Sequence, residues 1–134
     1  MSRGKVLIVE DDDDLRRGLG LRLRHLGYDV VQAQDGVGAV NVARQERPDL
    51  VLLDIGLPGG DGISVLDRYA NLAALAATPV VVLTGRDPQT TEPVVRARHN
   101  VSAFLHKPAD NDQLAAALAA ALAAAINGGG SGRE

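Results

Sequence analysis

Asp49-Leu50-Val51-Leu52-Leu53-Asp54-Ile55-Gly56-Leu57-Pro58-Gly59-Gly60-Asp61-Gly62 is the stretch that decides the fold. Leu50 to Leu53 are apolar with no polar residue between them. That is the pattern of a strand buried on both faces, as in parallel sheets. Asp54 follows at once and so stands at the carboxyl end of the strand, where ligands bind in an open parallel sheet. Pro58 fixes its own φ and pushes Leu57 towards an extended backbone. Gly59, Gly60 and Gly62 open backbone angles closed to other residues. The turn thereby holds backbone groups close to Asp54. Taken alone, the same Asp could also serve as a helix cap or a turn residue.

Upstream, Val6-Leu7-Ile8-Val9 is another buried run, and it ends in Glu10-Asp11-Asp12-Asp13-Asp14. Leu15, Leu19, Leu23 and Leu26 then recur at helical spacing, so a helix starts among aspartates suited to its cap and first turn. Gly27 closes it. Tyr28 to Ala33 reads as a strand, and Val37 to Arg47 as a helix stopped by Pro48. Downstream, a helix from about Ile63 carries Val65, Leu66, Tyr69 and Leu72. Pro79 to Leu83 is a buried strand ending at Thr84-Gly85. Pro88 to His99 is a weak helix that Pro93 shortens or bends, with Asn100 in the left-handed closing position. Ser102 to Leu105 is a fifth strand ahead of His106-Lys107-Pro108, and a last helix runs from about Asp110 to Ile126. Strands alternating with helices at this spacing predict an α/β fold, a parallel sheet with helices on both faces. One domain spans 1–126, and a flexible Gly-rich tail or linker spans 127–134.

The 134 residues suffice for one real core, at 46% hydrophobic and 23% charged. The absence of cysteine excludes disulfides, thiolate zinc sites and cysteine nucleophiles. A net charge of −3 gives no drive towards nucleic acid, so no direct nucleic-acid binding is expected. Tyr28, Tyr69 and Phe104 are too few aromatics for a stacking platform. No apolar run has the length of a membrane span, and no signal-peptide core follows Met1, so a cytoplasmic protein is expected.

The strand ends gather the chemistry. Glu10 and Asp11 follow the first strand, Asp54 the third, Thr84 the fourth and Lys107 the fifth. With those strands side by side, all of them meet in one crevice. Carboxylates crowded there raise one another's pKa, and a hard divalent cation such as Mg²⁺ resolves the repulsion with oxygen ligands. Lys107 adds a point charge and Thr84 a hydroxyl, which together suit phosphate oxygens, with Asp54 placed as nucleophile or acceptor. Singly, each has a plainer reading, as a helix start or a strand-ending turn. Their joint appearance after the correct strands is what those readings explain poorly.

The order Glu10-Asp11, Asp54-x-x-x-Pro58-x-x-x-Gly62, Thr84-Gly85 and Lys107-Pro108 resembles the receiver domain of two-component response regulators, over about Lys5 to Ile126. The resemblance implies a flavodoxin-like, doubly wound sheet of five strands in the order 2-1-3-4-5, the order known for this fold. It implies that Asp54 accepts a phosphoryl group from a phosphohistidine on a sensor histidine kinase or a histidine phosphotransfer protein. Glu10, Asp11, Asp54 and the backbone carbonyl of Gly56 would hold Mg²⁺. Lys107 would contact the phosphoryl group. Thr84 would move onto it, and Phe104 would turn inward as Thr84 moves. Gly56 and Arg86 occupy the positions that tune phosphoryl lifetime in the family. Lys107-Pro108 matches a peptide bond that is often cis. Such a domain is no enzyme beyond its own phosphorylation and dephosphorylation.

Two rival readings fit the residues less well. A phosphatase of the haloacid dehalogenase type needs a second Asp two residues after the nucleophile, where this chain has Gly56. A receiver acting only as an interaction module usually lacks one of the acidic, acceptor or lysine positions. On the first helix, Leu21 between Arg17 and Arg24 reads first as a solvated face with one stray Leu, and second as a docking patch for the kinase. Leu114, Leu118, Leu122 and Ile126 form a stripe expected to be core, with a homodimer seam as the lesser reading.

Overall fold

The computed structural model describes residues 2–56 and 62–131. Its strands are β1 (Lys5–Val9), β2 (Asp29–Ala33), β3 (Leu50–Leu53), β4 (Val80–Thr84) and β5 (Val101–His106). They form one parallel sheet in the order β2-β1-β3-β4-β5, as the resemblance implies. The helices are α1 (Asp13–His25), α2 (Gly36–Glu46), α3 (Gly62–Asn71), α4 (Pro88–Arg96) and α5 (Asn111–Ser131).

The unbroken apolar runs are explained by the two covered faces. Leu7, Val9, Val51, Leu53, Val80 and Val82 pack with Val40, Leu66, Tyr69 and Val95 of α2, α3 and α4. Val6, Ile8, Leu50, Leu52, Val81 and Leu83 pack on the other side with Leu19 and Leu23 of α1 and Leu114 and Leu118 of α5. Alternate residues of one strand thus feed opposite cores. Tyr69 is fully buried and donates its hydroxyl to the Ala39 carbonyl at 2.8 Å, tying α3 to α2. Burial pushes the Tyr69 phenol well above the usual tyrosine range. Tyr69→Phe is expected to cost about 1 kcal/mol in urea unfolding, the net worth of one such bond. An unchanged midpoint would show that the bond contributes nothing.

Aspartates start most of these helices. Asp12 accepts from the Leu15 N–H at 3.0 Å, Asp35 from Gly38 at 2.7 Å and Asp87 from Gln89 at 3.0 Å. At α5, Asp110 accepts from the Gln113 N–H at 2.8 Å while the Gln113 side chain accepts from the Asp110 N–H at 3.0 Å, a reciprocal capping box. Because Asp12 is the cap of α1, Glu10 and Asp11 stay outside the helix and at the sheet's edge.

Three expectations are corrected. Asn100 does not take a left-handed turn. It is buried, gives its carbonyl to the Val80 N–H at 2.9 Å and donates Nδ2 to the Leu66 carbonyl at 3.1 Å, so its backbone already serves the sheet. The left-handed non-glycine residue among those described is Arg47, at φ 47°, because Pro48 bars it from the right-handed helical region. Second, α4 stops at Arg96, short of His99, where Pro93 has removed an interior N–H. Third, α5 continues past Ile126 to Ser131, so the helix takes up most of the stretch expected as a tail. An Ala-rich helix, once nucleated, propagates cooperatively, and each Gly costs it only about 1 kcal/mol. Residues 132–134 lie outside the described residues, as does the turn at Leu57, Pro58, Gly59, Gly60 and Asp61. Among the described residues no helix is long and apolar enough to cross a membrane.

Candidate functional site

The sheet's own ladder places the site. The Glu10 N–H donates to the Ala33 carbonyl at 3.1 Å, Asp54 to Val9 at 3.0 Å and Lys107 to Thr84 at 2.9 Å. Each residue is therefore the first past its strand, or the one beyond, still pinned to the neighbouring strand. The order β1-β3-β4-β5 puts all three along one edge, at the carboxyl ends.

The side chains then close on one another. Lys107 Nζ lies 2.6 Å from Glu10 Oε1 and 3.1 Å from Asp54 Oδ2. The remaining oxygens accept from backbone: Asp54 Oδ1 from the Gly56 N–H at 3.0 Å, and Glu10 Oε2 from the Asp12 N–H at 3.3 Å. Glu10 and Asp54 are buried, and Asp11 is exposed beside them. Oxygens of Glu10, Asp11 and Asp54 come within 4.8 Å of one another. Burial pushes the Glu10 carboxyl up, and the nearby Asp54 charge adds to this, against the lowering by Lys107 and the Asp12 N–H. For Lys107, burial acts to lower the pKa. Its hydrogen bonds to Glu10 and Asp54, and their charges, outweigh that and hold it raised and charged.

One ammonium thus faces a cluster of carboxylates, all of them hard oxygen donors. That donor set fits Mg²⁺, which takes few carboxylates and keeps several waters.

Thr84 is buried at the end of β4, and its Oγ1 accepts from the Arg86 N–H at 3.3 Å. Phe104 on β5 is half-buried and packs with the core under α4. It lies opposite Val82 in register, so by alternation it shares a face with Thr84. Arg86 reaches to Gly56, two residues after Asp54. A Cβ placed on Gly56 would meet Arg86 Nε at 3.4 Å and Asp54 Oδ1 at 3.5 Å. Lys107-Pro108 is cis. On α1, Leu21 is 66% exposed between the exposed Arg17 and Arg24.

Sequence reasoning missed one contributor and misread the role of another. Arg16 donates Nη1 to the Glu10 carbonyl at 2.9 Å and Nε to Gln32 Oε1 at 3.3 Å, bracing the acidic turn from α1. Nothing in the local pattern distinguishes it from the other arginines of that helix. The misread one is Gly62, expected to supply unusual backbone angles but needed instead for space: its N–H donates to the Ile55 carbonyl at 2.8 Å, and a Cβ there would run into Ile55. Its spacing from Asp54 was the available signal.

Comparison with known proteins adds an independent finding. Residues 6–119 match the model of the response regulator receiver domain. The chain is 35% identical over 114 residues to the protein PilH of Pseudomonas aeruginosa, covering 85% of this chain and 93% of PilH. It is 36% identical over 116 residues to the DNA-binding response regulator MtrA of Mycobacterium leprae, covering 87% of this chain but only 50% of MtrA. Among solved structures, it is similar to the receiver domain of the sensor histidine kinase PA1611 from Pseudomonas aeruginosa, at a TM-score of 0.82 and 28% identity. That match covers 90% of this chain and 98% of the other, which carries a magnesium ion coordinated in its active site cleft.

Proposed function

This chain belongs to the family of response regulator receiver domains, and we propose that within it Asp54 is the phosphoryl acceptor of a two-component phosphorelay. The observation that carries the reading is the single ammonium of Lys107 shared between Glu10 Oε1 and Asp54 Oδ2 at the sheet edge. An Asp54 carboxylate oxygen attacks the phosphorus of a phosphohistidine on a sensor histidine kinase or a histidine phosphotransfer protein. The O–P bond forms as the N–P bond breaks, and the imidazole nitrogen leaves with the bonding pair and takes up a proton. The Gly56 N–H holds Asp54 Oδ1, which leaves Oδ2, on the Lys107 side, to be turned to the incoming group. Lys107 follows the charge onto the transferred oxygens. Glu10, Asp11, Asp54 and the Gly56 carbonyl would hold Mg²⁺, which when bound supplies positive charge to the phosphoryl oxygens. Arg16 keeps the acidic turn in place meanwhile.

The output is a population shift. The Thr84 hydroxyl, which now accepts from the Arg86 N–H, moves to donate its O–H to a phosphoryl oxygen, and Phe104 fills the space behind it. The chain carries this chemistry on itself, with no separate substrate. The Leu21 patch on α1 is the proposed docking surface for the phosphohistidine helices of the donor. DNA binding belongs to MtrA, of which this chain spans half. At a net charge of −3, direct nucleic-acid contact is not part of the present reading.

The test is intact mass after incubation with acetyl phosphate, for wild type and Asp54→Ala, with Mg²⁺ or with EDTA. One phosphoryl adduct that needs both Asp54 and the metal is the expected result. No adduct on folded wild type would move the weight to a module that works without phosphorylation. A further expectation concerns Arg86. Its side chain covers Gly56 beside the acceptor, so Arg86→Ala should open the acyl phosphate to water. Dephosphorylation should quicken by roughly fivefold. An unchanged rate would show that Arg86 takes no part.

A further inference from the structure

Lys107 stands at the end of β5, and the chain leaves the sheet immediately after it through Pro108, Ala109 and Asp110 into α5. Among the described residues, backbone pairing holds Lys107 from the β4 side, through the Thr84 carbonyl. The other side of this loop is held from α1. Arg22 donates Nη2 to the Ala109 carbonyl at 2.7 Å and Nε to Asn111 Oδ1 at 2.6 Å. These acceptors lie two and four residues after Lys107, and 87 and 89 residues from Arg22 in sequence. One planar guanidinium therefore clamps the lysine loop and the first residue of α5 to the helix whose other end carries the acidic turn.

We propose that Arg22 is a positioning residue for Lys107: its two-pronged contact with Ala109 and Asn111 sets where the Lys107 ammonium stands over Asp54. This rests on the phosphoacceptor reading above. The mechanism is geometric. Lys107 must follow charge onto a transferred group, and a loop loosened by an ångström misplaces that ammonium. Glu10 and Asp54 are held by other bonds, to Ala33, Arg16, Val9 and Gly56, so metal binding should not weaken without Arg22.

The experiment measures the rate of Asp54 phosphorylation by acetyl phosphate and, separately, Mg²⁺ affinity, for wild type, Arg22→Ala, Arg22→Lys and Arg44→Ala. Arg44 is an exposed arginine of α2 and serves as control. Arg22→Ala is expected to be phosphorylated roughly tenfold more slowly, with Mg²⁺ affinity no weaker than that of wild type. Arg22→Lys, which keeps the charge but cannot span both acceptors, should recover only part of the rate. Arg44→Ala should match wild type. A wild-type rate in Arg22→Ala overturns the proposal, as does a rate loss matched by an equal loss of Mg²⁺ affinity, which would mean general loosening. Should Arg22→Ala not fold, Arg22→Lys carries the test, and a wild-type rate there overturns it. Failure of the underlying reading looks different: wild type itself then gains no adduct.

Discussion

In Lys107→Ala, phosphorylation of Asp54 should fall about a hundredfold, the usual loss when one preorganised charge donor is removed from a transfer site. The same variant should bind Mg²⁺ several-fold more tightly than wild type. Both follow from one geometry. Lys107 Nζ occupies Glu10 Oε1 and Asp54 Oδ2, oxygens of the very cluster that would hold the cation. Removing the ammonium leaves buried carboxylates facing one another uncompensated, which a cation relieves. During transfer, however, among the described residues Lys107 is the cationic side chain bonded to Asp54 that can follow the charge onto the phosphoryl oxygens. Acetyl phosphate kinetics and a Mg²⁺ titration read the two effects separately. A rate loss accompanied by weaker Mg²⁺ binding would mean that Lys107 only maintains the shape of the site.

Gly62→Ala should destabilise the chain by roughly 3 kcal/mol, an overpacking cost at the upper end of the usual range. That corresponds to a thermal midpoint lower by about 10 °C. A Cβ at Gly62 would run into the Cα of Ile55 and would meet the Ile55 Cβ and Cγ2 at 2.8 Å. Ile55 is fully buried and next to Asp54, and its carbonyl takes the Gly62 N–H. Backbone cannot step aside as a flexible side chain could, so either the α3 start or the backbone at Ile55 must move. The variant should therefore lose phosphorylation rate as well as stability. Gly18→Ala, with open space around its Cβ position on α1, is the matched control and should be neutral or slightly stabilising. A Gly62→Ala protein as stable as wild type would show that the close approach to Ile55 relaxes freely.

Much of this architecture was legible before any coordinates. Leu50 to Leu53 and Val6 to Val9 could only be strands covered on both sides, because unbroken apolar runs have no solvent face. Gly27 closing α1 and the aspartate caps were likewise local, since they depend on backbone groups within a few residues. The element ends were less legible. Asn100 carries a residue type suited to a left-handed turn, but a distant carbonyl on Leu66 and the Val80 ladder bond claimed it. Arg47 took the left-handed angle, although its residue type does not suggest it.

The sequence by itself determined which residues stand at strand ends and what chemistry they bring: Glu10, Asp11, Asp54, Thr84 and Lys107, with parallel strands and covered faces around them. Periodicity and turn chemistry are local properties, so one chain read in order contains them. Only the tertiary structure decided that Lys107 bridges Glu10 and Asp54, that Arg86 lies over Gly56, and that Arg16 and Arg22 brace the two loops from α1. Those contacts join residues far apart in the chain. Their distances follow from strand order, register and helix packing, which no spacing along the sequence encodes.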